Sequence, residues 1–286
     1  MGKFKRKGRG IVKTLYISDL DGTLLNSDGK ASDFTVSTVN SLVEKGMNIS
    51  FATARSMSSA SYILPRFKLK IPAVMMNGVF LADIGTLKPQ RVCYMESDTA
   101  KMVVDAFLMH GRPPMVYSFT KEGFLDAEYS LIKNDYEREF IEKRKKLYHS
   151  FLQVEQYLTE NTVYINGIDE KEVIDAVCSE LDKISSIKYS AYLDTYSGDK
   201  YFLEVYSSKA GKRNATIKLK EMYGFDRIVA IGDNGNDVEL LELADLAVAV
   251  GNAQPIAKAV ADVVIDTNDN DAVAKFLLSE YERGTF

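Results

Sequence analysis

Tryptophan is absent from this chain of 286 residues, and cysteine and histidine occur only twice each. Cys93 and Cys178 lie far apart without CxxC spacing. That argues against a disulfide framework or a thiolate metal site and fits a reducing cytoplasm. His110 and His149 stand alone in stretches that read as helix, so both are expected to be surface or packing residues. No apolar run approaches the roughly 18 to 20 residues that span a bilayer, and no membrane association is expected. A dominant charge sign is missing too: 36 Lys+Arg against 40 Asp+Glu leave a net charge of -4. Such a balance offers no general attraction for nucleic acid, so the expected partner is a small molecule, with the oligomeric state left open. Internal repeats and low-complexity segments are also lacking. The basic start, "MGKFKRKGRG", has Arg6 where a myristoylation signal needs Ser or Thr, and Lys13 and Asp19 interrupt any signal-peptide core. It is expected to be a solvated, frayed tail.

What is present is ample core material. Hydrophobic residues make up 46% of the chain, enough for one large domain or two smaller ones. Strand-like apolar runs alternate with helix-like periodic ones at both ends of the sequence. "TLYISDLDG" precedes a helical pattern with Val36, Val39, Leu42 and Val43 on one face and Gly46 as its stop. "MNISFATAR", a helical stretch from Ser56 to Phe67 and the apolar run "IPAVMMNG" follow. Late in the chain "RIVAIGDNGND", "LAVAVGN" and "ADVVID" alternate with "DVELLELA" and "PIAKAVA", and a last helix is expected near Asp271 to Tyr281. This grammar predicts an α/β fold with a Rossmann-like parallel sheet. The middle is richer in tyrosine and charge, with helices expected at Asp98 to Met109, Asp135 to Phe151 and Glu170 to Ile184 and strands at "TVYING" and "KYFLEVY". It reads as an inserted α+β domain over 85–207, between core segments 1–84 and 208–286. The charge run "EKRKK" within it follows acidic residues at helical spacing and reads as a solvated, salt-bridged face.

Ligands of open parallel sheets bind beyond the carboxyl ends of the strands. Polar clusters sit at those ends here: Asp19 and Asp21 after the first strand, Thr53 and Arg55 after the second, Asn77 after the third, and Asp233, Asn234, Asn236 and Asp237 after the fourth. Carboxylates gathered from two loops repel unless a cation lies among them, and a hard divalent ion with oxygen ligands meets that need. Singly, each residue has a plainer role: Asp-x-Asp-Gly makes a polar turn, Thr53 ends a strand, and Lys212 is a surface lysine. "GDNGND" is not a calcium loop, since its sixth position is not Gly and its twelfth is Ala244 rather than Glu.

"DLDGT" after a strand, Thr53 at a strand end, a later Lys212 and the acidic "GDNGND" loop together resemble the haloacid dehalogenase superfamily of phosphohydrolases. "NG" at 77 and 78, "VAVGNA" at 248 to 253 and the size of the insert resemble its Cof-type branch, with a large inserted cap. The resemblance covers nearly the whole chain except the basic tail. It implies a Mg2+-dependent phosphatase of small organic phosphates. Asp19 resembles the nucleophile that forms an aspartyl phosphate, and Asp21 the general acid and base. Thr53 and Lys212 match phosphate-binding positions, as do Leu20, Ala54 and Asn236. The Asp19 carboxylate, the Asp21 backbone carbonyl and Asp233 would hold Mg2+, with Asp237 in support. Two departures stand out: Ala54 replaces the usual Gly of the second motif, and "SSKAGKRNA" offers Lys209 as well as Lys212, with Arg213 where Gly is common. The same residues would also serve a phosphoryl transferase or phosphomutase, and a non-catalytic binder of phosphorylated metabolites is a third reading.

Overall fold

In the computed structural model, residues 12–146, 148–193 and 199–284 are described. The expectation for the basic tail lies outside them. The strands are, in chain order, β1 (Thr14–Ser18), β2 (Asn48–Phe51), β3 (Ala73–Met75), β4 (Phe80–Ala82), β5 (Pro89–Val92), β6 (Met115–Phe119) and β7 (Leu125–Tyr129). They continue with β8 (Ser150–Gln153), β9 (Thr162–Asp169), β10 (Ile187–Leu193), β11 (Tyr201–Ser207), β12 (Arg227–Gly232), β13 (Leu246–Ala249) and β14 (Val263–Val264). The helices are α1 (Asp33–Glu44), α2 (Met57–Ala60), α3 (Ser97–Met109), α4 (Asp135–Arg144) and α5 (Lys171–Leu181), then α6 (Lys212–Tyr223), α7 (Val238–Leu243), α8 (Pro255–Val260) and α9 (Ala272–Glu282). Two compact units contain them: Met1–Thr53, Ile63–Ala73 and Thr216–Phe286 in one, Ala54–Tyr62 and Val74–Ala215 in the other.

The first unit holds a five-stranded sheet in the order β14-β13-β12-β1-β2, parallel throughout. Every residue of β1 is buried, as a central strand covered on both faces requires. The Ser32 hydroxyl caps α1 by accepting from the Thr35 amide at 2.9 Å, and Val39, Leu42 and Val43 bury the predicted apolar face, with α9 packed alongside.

A six-stranded sheet in the order β10-β11-β9-β6-β7-β8 forms the second unit, antiparallel except for the β7–β8 pair. Helices α3 and α5 cover one face, where Val103, Phe107, Ile174 and Val177 pack with Val116, Ile165, Leu203 and Val205. Each such side chain contributes about 1.5–3 kcal/mol by leaving water. Arg112, fully buried, donates to Ile168 O and Pro113 O and pairs with Glu137 at 2.6 Å and Asp169 at 3.2 Å. The α4 face is laced by Lys143–Glu139 and Lys145–Glu142 pairs, the solvated arrangement its charge run predicts.

Local departures from the sequence reading have local causes. The helix expected to reach Phe151 stops at Arg144, because Ser150–Gln153 pairs with β7 and buries Phe151 in the sheet. The helix expected from Ser56 to Phe67 is reduced to α2 and a turn at Leu64–Arg66, where Pro65 removes a backbone donor. Strand β3 joins a separate small sheet with β4 and β5. Met76, Asn77 and Gly78 all have positive φ (47°, 51° and 88°), which turns the chain straight back into β4.

Candidate active site

Strand β1 delivers Asp19. The Asp19 amide donates to Ile231 O at 2.9 Å, carrying the ladder with β12 one residue further, so the backbone under this carboxylate is fixed. Asp19 is 5% exposed. The chain then turns through Leu20–Leu24, closed by the Leu25 amide donating to Leu20 O at 2.8 Å. Gly22 permits this turn twice over. Its φ is +75°, and a Cβ there would lie 2.5 Å from Asp233 Oδ2, so a side chain would push the two acidic loops apart.

The second acidic loop follows β12. Asp237, fully buried, accepts through Oδ2 from the amides of Asp233 and Asn234, both at 3.1 Å, completing a capping box over the turn Gly235–Asp237. Gly232 makes room: a Cβ at this position would come within 2.7 Å of Asp237 Cβ. Thr23 Oγ1 donates to Asp233 Oδ1 at 2.7 Å, orienting one loop on the other.

These contacts bring one carboxylate oxygen each of Asp19, Asp233 and Asp237 within 4.8 Å of one another. Unit charges at that spacing repel by about 3 kcal/mol per pair at an effective dielectric near 20. Hard anionic oxygens in such a group fit a divalent cation of the Mg2+ or Ca2+ class, and neither cysteine nor histidine is among them. Asp21, on the exposed side of the same turn, is not one of the three grouped carboxylates. Leu20 is buried beneath it, Thr53 is fully buried just past β2, and Asn236 is exposed in the second loop. Ala54 and Lys212 belong to the second unit. There Lys212 is buried at the first position of α6, while the Lys209 side chain is exposed and pairs with Glu96 at 3.2 Å.

Other supporting residues escape the sequence reading. Asn252 Nδ2 donates to Gly22 O at 2.7 Å, and Asn252 Oδ1 accepts from the Asn268 amide at 2.9 Å. Asn268 Nδ2 in turn donates to Leu25 O at 2.8 Å. The middle of the turn and the residue that follows it are thereby held by one amide relay. Asn252 falls within "VAVGNA", a signal for its presence though not for its role; nothing in the sequence marks Asn268.

The family profile of haloacid dehalogenase-like hydrolases matches residues 16–277. A 5-amino-6-(5-phospho-D-ribitylamino)uracil phosphatase of Bacillus subtilis is 26% identical over 277 residues, spanning 91% of this chain and 95% of that protein. A haloacid dehalogenase-like hydrolase from Bacteroides thetaiotaomicron superposes with a TM-score of 0.72 at 21% identity, covering 93% of this chain and 99% of that one. A Thermotoga maritima protein gives 0.74 at 22% identity, with 93% and 96% covered. Motif order, the parallel sheet and a profile match over most of the length agree: the chain belongs to the haloacid dehalogenase-like hydrolase family.

Proposed function

We propose that the protein is a Mg2+-dependent phosphatase of small organic phosphate monoesters that works through an aspartyl phosphate. The observation that carries this reading is the grouping of Asp19, Asp233 and Asp237 beyond the carboxyl ends of the neighbouring strands β1 and β12, with Asp21 exposed two residues beyond Asp19. Asp19, Asp233, Asp237 and the backbone carbonyl of Asp21 would hold Mg2+. When bound, the ion neutralises carboxylate and phosphoryl charge.

The chain's own residues then divide the chemistry. An Asp19 oxygen attacks phosphorus as the bond to the leaving alcohol breaks, and Asp21 gives that alcohol its proton. In the second half Asp21 takes a proton from water, whose oxygen attacks phosphorus and releases phosphate and free Asp19. By family resemblance Thr53 and Lys212 hold phosphoryl oxygens, as do the backbone at Leu20 and Ala54 and the side chain of Asn236. The burial of Lys212 and the exposed ion pair of Lys209 support the choice between the two lysines. Residues 85–207 would supply substrate specificity. The name of the Bacillus subtilis relative puts its substrate, a phosphorylated ribitylaminouracil, first among the compounds to try.

The test is phosphate release from a panel of metabolite phosphate esters, with Mg2+ and after exhaustive chelation. Release from at least one ester, lost on chelation and restored by Mg2+, is expected. Release that survives chelation overturns the metal assignment, and no release from any ester overturns the phosphatase reading.

A further inference from the structure

Asparagine followed by glycine occurs three times, at 77–78, 166–167 and 234–235, and the fold treats the three pairs differently. This dipeptide can modify itself. The glycine nitrogen lies within reach of the asparagine Cγ, and no side chain on the glycine shields it, so its attack closes a cyclic imide. Whether that happens depends on how freely the glycine peptide can swing toward the carboxamide.

Two of the pairs are locked. Asn77 is 3% exposed, the Gly78 amide donates to Met75 O at 3.0 Å, and a Cβ on Gly78 would lie 2.4 Å from Gly211 O. Asn166 is 4% exposed in the middle of β9, where Asn166 and Gly167 pair with Glu204 and Leu203 of β11 and the Phe107 ring closes over Gly167. Neither glycine nitrogen can turn toward its neighbour's side chain until the packing around it parts.

The third pair is open. Asn234 and Gly235 are exposed in the turn that follows β12. The Gly235 amide is turned onto Asn234 itself, donating to Oδ1 at 2.6 Å, so the attacking nitrogen already lies against the carboxamide. Space is free around the glycine, since a Cβ there would meet only Ile256 Cγ2, at 4.0 Å. Asn234 ψ is 172°, so closure needs the Gly235 peptide to rotate toward Cγ; the bond from the Asp237 amide to Asn234 O at 3.0 Å and the capping box resist that rotation.

We propose that Asn234 is a site of spontaneous deamidation and that Asn77 and Asn166 are protected from it. The Gly235 nitrogen gives its proton to solvent base and bonds to Asn234 Cγ; the Cγ–Nδ2 bond breaks, and ammonia leaves with a proton returned by water. Water then opens the imide at either carbonyl, leaving aspartate or isoaspartate at 234. Aspartate adds a carboxylate to the loop that supplies Asp233 and Asp237, and isoaspartate lengthens the backbone by a methylene inside the turn that Asp237 caps. The site is thereby a slow chemical clock on the acidic loop.

The test reads mass alone, so it stands or falls apart from the phosphatase reading. Full-length protein is held folded at mildly alkaline pH and digested, and each asparagine peptide is followed by mass spectrometry with isoaspartate resolved from aspartate. Asn234 is expected to convert at least about ten-fold faster than Asn77 or Asn166, because a closed site reacts only during the fraction of time it is open. Gly235→Ala, whose methyl fits the free space, should slow Asn234 several-fold, with thermal unfolding as the check that the variant folds. In urea the three pairs should convert at similar rates. No conversion of Asn234 in the folded protein, a rate no faster than at the two buried pairs, a Gly235→Ala rate equal to the parent's, or a spread of rates that persists in urea overturns the proposal.

Discussion

Asp19 in the first unit and Glu204 in the second are carboxylates that strands position in opposite ways. Asp19 stands just past the end of β1, where the backbone can turn, and Gly22 and Gly232 clear the space that lets acidic loops approach. Glu204 stands mid-strand, its neighbours set by the ladder, with phenols of Tyr164 and Tyr192 around it. Strand-end turns can therefore concentrate like charges, which suits a cation and a phosphoryl group. A sheet face spaces its side chains about 4.5–5.5 Å apart across strands and surrounds a lone carboxyl with neutral hydroxyls.

The sharpest way to break this contrast is Asp19→Asn, which keeps shape and removes the attacking anion. Turnover should fall by roughly 10^4 or more, measured as phosphate release per enzyme, with the fold intact. A variant keeping a tenth of the activity would leave Asp19 a ligand and no more. Lys212→Ala comes next, with an expected loss of about 10^2–10^3, the worth of one well-placed donor to developing charge. Lys209→Ala should stay within about two-fold, because an exposed ion pair contributes little. The reverse result moves the phosphate-binding role to Lys209. Thr23→Val keeps the volume and removes the donor to Asp233 Oδ1. Mg2+ affinity, read as the ion's effect on the unfolding temperature, should weaken about ten-fold, as it does when a ligand's outer partner is lost. An unchanged affinity would make Thr23 a packing residue.

The smallest effect belongs to the other cluster. Because the folded-state pKa of Glu204 is raised above its ordinary value of 4.5, its contribution to stability is full below that value and is lost as pH rises through the folded pKa. Glu204→Gln should therefore gain on the parent in urea unfolding as pH increases above about 4.5. A difference that does not vary with pH would mean that burial leaves this carboxyl unperturbed.

The same contrast explains what the sequence made legible. Asp19, Asp21 and Gly22 fall within four consecutive positions, and Asp233, Asn236 and Asp237 within five, so each strand-end loop appears as a short motif, and β1, β2, β12 and β13 announce themselves by apolar runs. Tyr117, Tyr164, Asn166, Tyr192 and Glu204 come from four strands, and only the register brings them together. No window of sequence holds that information. Strand β8 was hidden for a related reason. Periodicity carries helix past Arg144, but "SFLQ" takes its conformation from a tertiary partner, β7. The role of Thr23 was obscured differently: the hydroxyl is in plain sight in "DLDGT", whereas its acceptor lies 210 positions away.

The amide relay from Gly22 through Asn252 and Asn268 to Leu25 also bears on how the protein breathes. Three segments distant in sequence share consecutive hydrogen bonds, so none can swing out without stripping partners from the other two. Local opening at the motif turn then becomes a joint event of all three, with backbone amides exchanging with solvent at a common slow rate, as a single cooperative unit does. The loop that carries the candidate nucleophile is thus kept rigid by side-chain amides far outside its own motif.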